Sequence, residues 1–170
     1  SEIMSEKMQN ISFIGMPGSG KTTVGKKLAS KLNLIFKDSD YLIEHINKKA
    51  IQSILDDEGY LELRSKEEKV ILDCNLDGVV LATGGSAVYS DKAMRYLQEN
   101  SKVIYLDIPL EIVMQRVGDY SNRGFAEAGG KSPEDVYISR TALYAKWAHF
   151  TIDSSQDIET VVNNITLSLS

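Results

Sequence analysis

The chain reads as a single α/β domain, a parallel sheet with helices packed against it. Three observations predict this. Short apolar runs alternate along the chain with longer segments of helical periodicity. The runs are largely apolar, as suits parallel strands covered on both faces. The first strand–helix junction carries Gly15-Met16-Pro17-Gly18-Ser19-Gly20-Lys21-Thr22, which fits G-x-x-x-x-G-K-[S/T] in the setting that pattern requires. The 170 residues suit one domain with a substantial core, joined by right-handed crossovers.

The elements follow in order. Ile11–Gly15 is an apolar run and the first strand. Lys21–Lys31 is a helix whose Val24, Leu28 and Ala29 share one face, extended by Leu32. Leu34–Lys37 is the second strand, followed by helices over Ser39–Ile46, Ile51–Asp57 and Tyr60–Cys74. Val79–Ala82 is the third strand, Asp91–Glu99 a helix, Lys102–Leu106 the fourth strand and Leu110–Val117 a further helix. Residues 118–132 are polar, glycine-rich and without period, which marks a lid or binding loop, and the lid is taken as about 117–132. Ser132-Pro133-Glu134-Asp135 then starts a helix over Pro133–Ala145, with a serine cap, proline at the first position and acids in the first turn. Phe150–Ile152 and Ser155–Leu167 close the chain as strand and helix.

Composition excludes several classes. The net charge of −5 argues against broad binding of nucleic acid or of a membrane surface. Apolar runs stay far below a membrane span, and the first eight residues lack the apolar core of a secretory leader. The single cysteine, Cys74, excludes an intrachain disulfide and a cysteine-cluster zinc site. The cytoplasm is the expected location.

Chemistry concentrates at a few positions. Glycines at 15, 18 and 20 let backbone N–H groups point inward around an anion, and the following helix adds its positive end. Lys21 reaches terminal phosphates and the Thr22 hydroxyl suits Mg2+. If the chain stays extended through Asp38-Ser39-Asp40, both carboxylates project together from the strand's carboxyl end, one toward a metal through water and one toward a substrate hydroxyl; the bland alternative is that they cap and open a helix. Gly84 and Gly85, after Thr83, permit close approach of a ligand to the backbone, and Thr83 could reach the metal's water shell. Arg64 either pairs with Glu67 or Glu68 on a helix surface or grips a substrate carboxylate, and Arg140 is a second candidate for that grip. Arg116 and Arg123 flank the start of the lid-like segment, where a mobile arginine would stabilise transferring charge. His45 and His149 have no ligand spacing, and Tyr144 and Trp147 read as packing residues.

Together these motifs resemble the shikimate kinases, small relatives of the nucleoside monophosphate kinases. The resemblance runs from about Asn10 to Asp153 and rests on Gly15–Thr22, Asp38-Ser39-Asp40, Gly59 with Leu63-Arg64 and Glu67, Thr83-Gly84-Gly85, Arg116, Arg123, and Arg140 followed by Tyr144 and Ala148. It implies a phosphate-binding-loop kinase fold of three layers with five strands in the order 2-3-1-4-5 and a mobile lid. It implies transfer of the γ-phosphoryl of ATP to the 3-hydroxyl of shikimate, in aromatic amino acid and chorismate biosynthesis, by a monomer whose substrate region spans about 38–68. Gly15, Pro17, Gly18, Ser19, Gly20, Lys21, Thr22 and Thr23 would bind ATP together with Arg116, Arg123 and the backbone near Asp153. Thr22 and, through water, Asp38 would hold Mg2+. Asp40 would bind the reacting hydroxyl and act as base, with Lys21 and Arg123 completing the catalytic set. Arg64 and Arg140 would clamp the carboxylate, and Gly84 and Gly85 would offer backbone contacts. Two positions depart from the family pattern: Ser86 stands where a third glycine is usual, and Arg123-Gly124-Phe125-Ala126 where Arg-Pro-Leu-Leu is usual. A related kinase for another hydroxy acid such as gluconate, or a nucleotide-binding regulator without catalysis, is the alternative.

Overall fold

The structure is a computed structural model and describes residues 10–117 and 131–170. Strands β1 (Ile11–Ile14), β2 (Ile35–Asp38), β3 (Val79–Ala82), β4 (Lys102–Asp107) and β5 (Phe150–Asp153) form one parallel sheet in the order β2-β3-β1-β4-β5. The helices are α1 (Lys21–Leu32), α2 (Ser39–Asn47), α3 (Ile51–Glu58), α4 (Tyr60–Asp73), α5 (Asp91–Asn100), α6 (Leu110–Val117), α7 (Pro133–Trp147) and α8 (Ile158–Leu169). A short 3-10 turn over Ala87–Tyr89 was not expected from the sequence. The strand order is the one the family resemblance implied.

The two-residue period of a strand distributes the core between the faces of the sheet. Ile11 and Phe13 of β1, Val80 of β3, and Ile104 and Leu106 of β4 pack with Val24 and Leu28 of α1 and Val161, Val162 and Ile165 of α8. Their neighbours Ile14, Val79, Leu81, Val103 and Tyr105 turn the other way, toward Ile71 of α4, Met94 and Leu97 of α5, and Val136, Tyr144 and Trp147 of α7. A third cluster, Ile43, Ile51, Ile54 and Val70, holds α2, α3 and α4 together beside the sheet.

Three expectations are corrected. The outer strands are not covered on both faces: Ile35 of β2 and Thr151 of β5 are exposed, because both strands are sheet edges. The chain is not extended through Asp40, since α2 begins at Ser39 with Asp38 as its cap. The last helix starts at Ile158, not Ser155, because Asp153 holds the Ser155 N–H in a turn and Asp157 caps the helix by accepting the Thr160 N–H. Of the expected lid, residues 118–130, including Arg123, Gly124, Phe125 and Ala126, lie outside the described residues.

Candidate active site

Register brings the chemistry to one edge. Asp38 pairs with Ala82, and Ala82 with Phe13, so β1, β2 and β3 end side by side. The phosphate-loop segment, Asp38-Ser39-Asp40 and Thr83-Gly84-Gly85 therefore leave the sheet together, at the carboxyl edge where open α/β sheets bind ligands. All three segments contribute to the lining of one cavity of about 510 Å³.

The loop side of this cavity is built by Pro17, Gly18, Gly20, Lys21, Thr22 and Thr23. Gly18 and Gly20 adopt φ of 79° and 94°, which side chains with a β-carbon avoid. Gly20 caps α1 without a side-chain hydrogen bond, leaving the helix's first N–H groups to the cavity. Lys21 is buried, and its Nζ donates to the carbonyls of Gly15 (2.7 Å) and Met16 (2.8 Å). Burial lowers its pKa to about 8, opposed by the nearby charges of Asp40 and Glu67. Gly15 itself lies behind the lining, with no space for a β-carbon, which would stand 2.7 Å from the Leu106 carbonyl oxygen. Ser19 is fully buried, and its carbonyl accepts the Ser154 hydroxyl at 2.6 Å.

Asp38 caps α2, as one of its two readings expects, and its second carboxylate oxygen faces the phosphate loop. One carboxylate oxygen caps α2 by accepting the Asp40 N–H at 2.9 Å, and the other accepts the Thr22 hydroxyl at 3.1 Å. A hydroxyl and a carboxylate thus meet at the loop's mouth. This hard oxygen pair fits Mg2+, which keeps several waters and takes one or two protein oxygens plus phosphate. Among the described residues no group of three or more His, Cys, Asp or Glu could enclose a metal. Thr83 is committed to the fold, its hydroxyl donating to the Phe13 carbonyl at 2.8 Å.

Asp40, Glu67, Gly84, Gly85, Ser86 and Arg140 also line the cavity. Glu67 was weighed only as a helix-surface partner of Arg64; the fold turns it inward, 3 % exposed. It accepts the Gly84 N–H (2.8 Å) and the hydroxyls of Ser39 (3.0 Å) and Ser86 (3.2 Å). Burial, then the charge of Asp40, raises its pKa to about 7. The Gly84 N–H donates to Glu67 and its carbonyl accepts the Ala87 N–H, while the residue itself lines the cavity. A clue was present in the sequence: Glu67 lies four residues from Leu63 and from Ile71, on the helix's inward face.

Arg140 projects from α7 and is 1 % exposed. Tyr144, one turn on, receives a hydrogen bond from Arg140 and donates its own hydroxyl to the Gly85 carbonyl. Gly85 lies between Arg140 and the loop: a β-carbon there would stand 2.9 Å from Arg140 Nη1 and 3.0 Å from Pro17 Cδ. Arg64, half-buried on α4, is not among the residues that line the cavity, whereas Leu63 and Glu67 of the same helix are. Arg116 is exposed at the rim and donates to the Gly18 carbonyl at 2.9 Å. After β5, where the backbone near Asp153 is expected to bind ATP, Ser154, Gln156 and Ile158 line the cavity. Asp153 instead turns its carboxylate to the Ser155 N–H and hydroxyl at 2.9 and 2.6 Å.

The site therefore joins a glycine-rich loop at a helix N-terminus, and an oxygen pair suited to a cation, to a wall bearing two carboxylates and a buried arginine. Known proteins resemble this chain in sequence and in fold. The family profile described as Shikimate kinase matches residues 17–170. A shikimate kinase of Haemophilus influenzae is 37 % identical over 167 residues, covering 95 % of this chain and 92 % of its own. Shikimate kinase 2 of Serratia proteamaculans is 31 % identical over 170 residues and 95 % of each chain. The structure of a shikimate kinase from Acinetobacter baumannii in complex with shikimate superposes with a TM-score of 0.86 at 32 % identity, over 99 % of this chain and 97 % of that one. With the profile spanning nearly all of it and such relatives matching it end to end, this chain belongs to the shikimate kinase family.

Proposed function

We propose that this protein transfers the γ-phosphoryl of ATP to the 3-hydroxyl of shikimate, giving shikimate 3-phosphate and ADP in the route to chorismate and the aromatic amino acids. The single observation that carries this is the continuity of the cavity from Lys21 and Thr22 to Asp40 and Arg140. A phosphate donor and a small anionic acceptor fit the two ends of one space.

The loop amides and Lys21 hold the donor phosphates, Lys21 exchanging its carbonyl partners for phosphate oxygens. Thr22 and Asp38 would hold Mg2+, which neutralises charge on the phosphates. Arg64 and Arg140 grip the acceptor carboxylate, and Asp40 accepts the hydroxyl proton as the oxygen bonds to the γ-phosphorus and the bond to the ADP oxygen breaks. Arg123 comes over the phosphates with the lid. The protein acts as a monomer in the cytoplasm. No helix among the described residues is long and apolar enough to cross a membrane. The gluconate and regulator alternatives are not favoured by the family match.

A coupled ADP-release assay over shikimate, gluconate and nucleoside monophosphates, with and without Mg2+, tests this reading. Turnover with shikimate alone, lost on Mg2+ removal, is expected. Preference for another acceptor, or ATP binding with no turnover on any of them, overturns it.

A further inference from the structure

The 3-10 turn after the glycine pair ends on Tyr89, a residue outside every motif of the chain. Its ring lies under two guanidinium groups. Arg64 Cζ stands 3.9 Å from the ring centroid and Arg140 Cζ 5.6 Å. Both fall within the distance at which a cation is drawn to an aromatic face. The two arginines come from different helices, α4 and α7, and their charges repel each other. Tyr89 is the ring they share. Arg64 has a second aromatic neighbour, Tyr60, at 5.0 Å, on its own helix.

The ring is mounted rigidly. Ala87 and Val88, just before it, are buried at 3 % and 1 % exposure. The turn is closed by the Ala87 N–H to Gly84 and the Tyr89 N–H to Ser86. Immediately after it, Ser90 caps α5 and donates its hydroxyl to Glu68 on α4, one turn past Arg64. The platform is therefore tied both to the glycine pair and to the helix carrying Arg64. Arginine loses much side-chain freedom when it grips an anion. A fixed aromatic face beneath two arginines meets part of that cost before the acceptor arrives.

We propose that Tyr89 is a positioning residue for the acceptor carboxylate, its ring holding Arg64 and Arg140 as one preorganised pair. This rests on the reading that those two arginines grip shikimate. The aromatic face, not the hydroxyl, carries the role. Tyr89 thereby favours acceptors that bear a carboxylate and leaves ATP binding alone.

The test is steady-state kinetics of the full chain with Tyr89→Leu, Tyr89→Phe and Arg64→Ala, with thermal unfolding of each as a check on folding. Tyr89→Leu is expected to raise KM for shikimate about tenfold, within the range of a desolvated cation–π contact, while KM for ATP and kcat stay within about twofold. Tyr89→Phe is expected to behave as the wild type. If Tyr89→Leu does not fold, Tyr89→Met, flexible and without a ring, takes its place. An unchanged shikimate KM in the ring-less variant, equal increases in both KM values, or a Tyr89→Phe variant as impaired as Tyr89→Leu overturns the platform. Arg64→Ala separates the two levels: a raised shikimate KM there beside a normal one in Tyr89→Leu removes the platform alone. An unchanged KM in Arg64→Ala removes the arginine reading and the platform with it.

Discussion

The carboxylates of Glu67 and Asp40 close on one α-carbon, that of Gly84. Asp40 Oδ1 lies 3.0 Å from the point where a β-carbon would stand, and Glu67 Oε2 lies nearer still. Glycine at 84 thus makes room for two acids rather than for a turn. Gly84→Ala is expected to displace both carboxylates and lower kcat/KM for shikimate by about a hundredfold, as a misplacement on the scale of an ångström does. Kinetics at saturating ATP measure this, and a variant with unaltered kcat/KM would show that the wall can yield.

The raised pKa of Glu67 ties stability to pH. An acid whose folded pKa exceeds its unfolded value keeps a proton that the unfolded chain has released. Stability therefore falls as pH rises from the ordinary value of 4.5 toward about 7, and this contribution is level above that. Across the window the effect is on the order of 3 kcal/mol if Glu67 titrates alone. Glu67→Gln keeps the shape and removes the titration. Urea midpoints measured through this window should slope less in the variant than in the wild type, and identical slopes would assign the titration elsewhere.

Lys21 predicts an asymmetry between two pH profiles. In the free protein its ammonium loses its proton near pH 8. Bound phosphates favour the charged form and raise that value. The profile of kcat/KM for ATP, which reports the free enzyme, should descend above about pH 8, whereas kcat should hold to higher pH. Lys21→Ala should lower turnover by about a thousandfold or more without altering the unfolding midpoint greatly.

Asp40 faces the cavity from the first turn of α2. Asp40→Asn keeps the size and a hydrogen-bonding group but cannot take the acceptor's proton. We expect kcat to fall by a factor of about a hundred to ten thousand with KM for ATP unchanged. A single-turnover experiment measures the chemical step directly, and a wild-type rate there would take the base role from Asp40.

Tyr144→Phe isolates one hydroxyl. Its loss leaves the half-buried Gly85 carbonyl without that donor and Arg140 without that acceptor. The expected cost is about 1–3 kcal/mol, read as a lower urea midpoint with unchanged m-value. On the proposed function the shikimate KM should rise as well, since Arg140 and Gly85 both line the cavity. A variant as stable as the wild type would mean that water replaces the hydroxyl.

Much of this was legible in the chain. The phosphate loop is contiguous: the glycine backbone and the Lys21 and Thr22 side chains come together because they are neighbours in sequence. The alternation of apolar runs with helical segments marked the five strands, with boundaries shifting by a few residues where caps decided them. Arg140 and Asp40 were chosen for their residue type and setting, and both line the cavity. The reading of Asp38 and Asp40 as a continued strand was wrong in mechanism but right in place, because a helix starting at Ser39 points Asp40 into the same space.

Sequence by itself determined the parallel α/β class through the apolar period, and a nucleotide-phosphate site through a contiguous motif with helix behind it. It determined too that arginines and acids stood at the right junctions. Only the tertiary structure decided which of them act together. Glu67 became a buried neighbour of Asp40, and Tyr89 a shared platform for Arg64 and Arg140. The physical reason is that period and spacing are properties of neighbours along the chain. Burial, a raised pKa and the meeting of two guanidinium groups over one ring arise from elements remote in sequence, and exist once the helices have packed on the sheet.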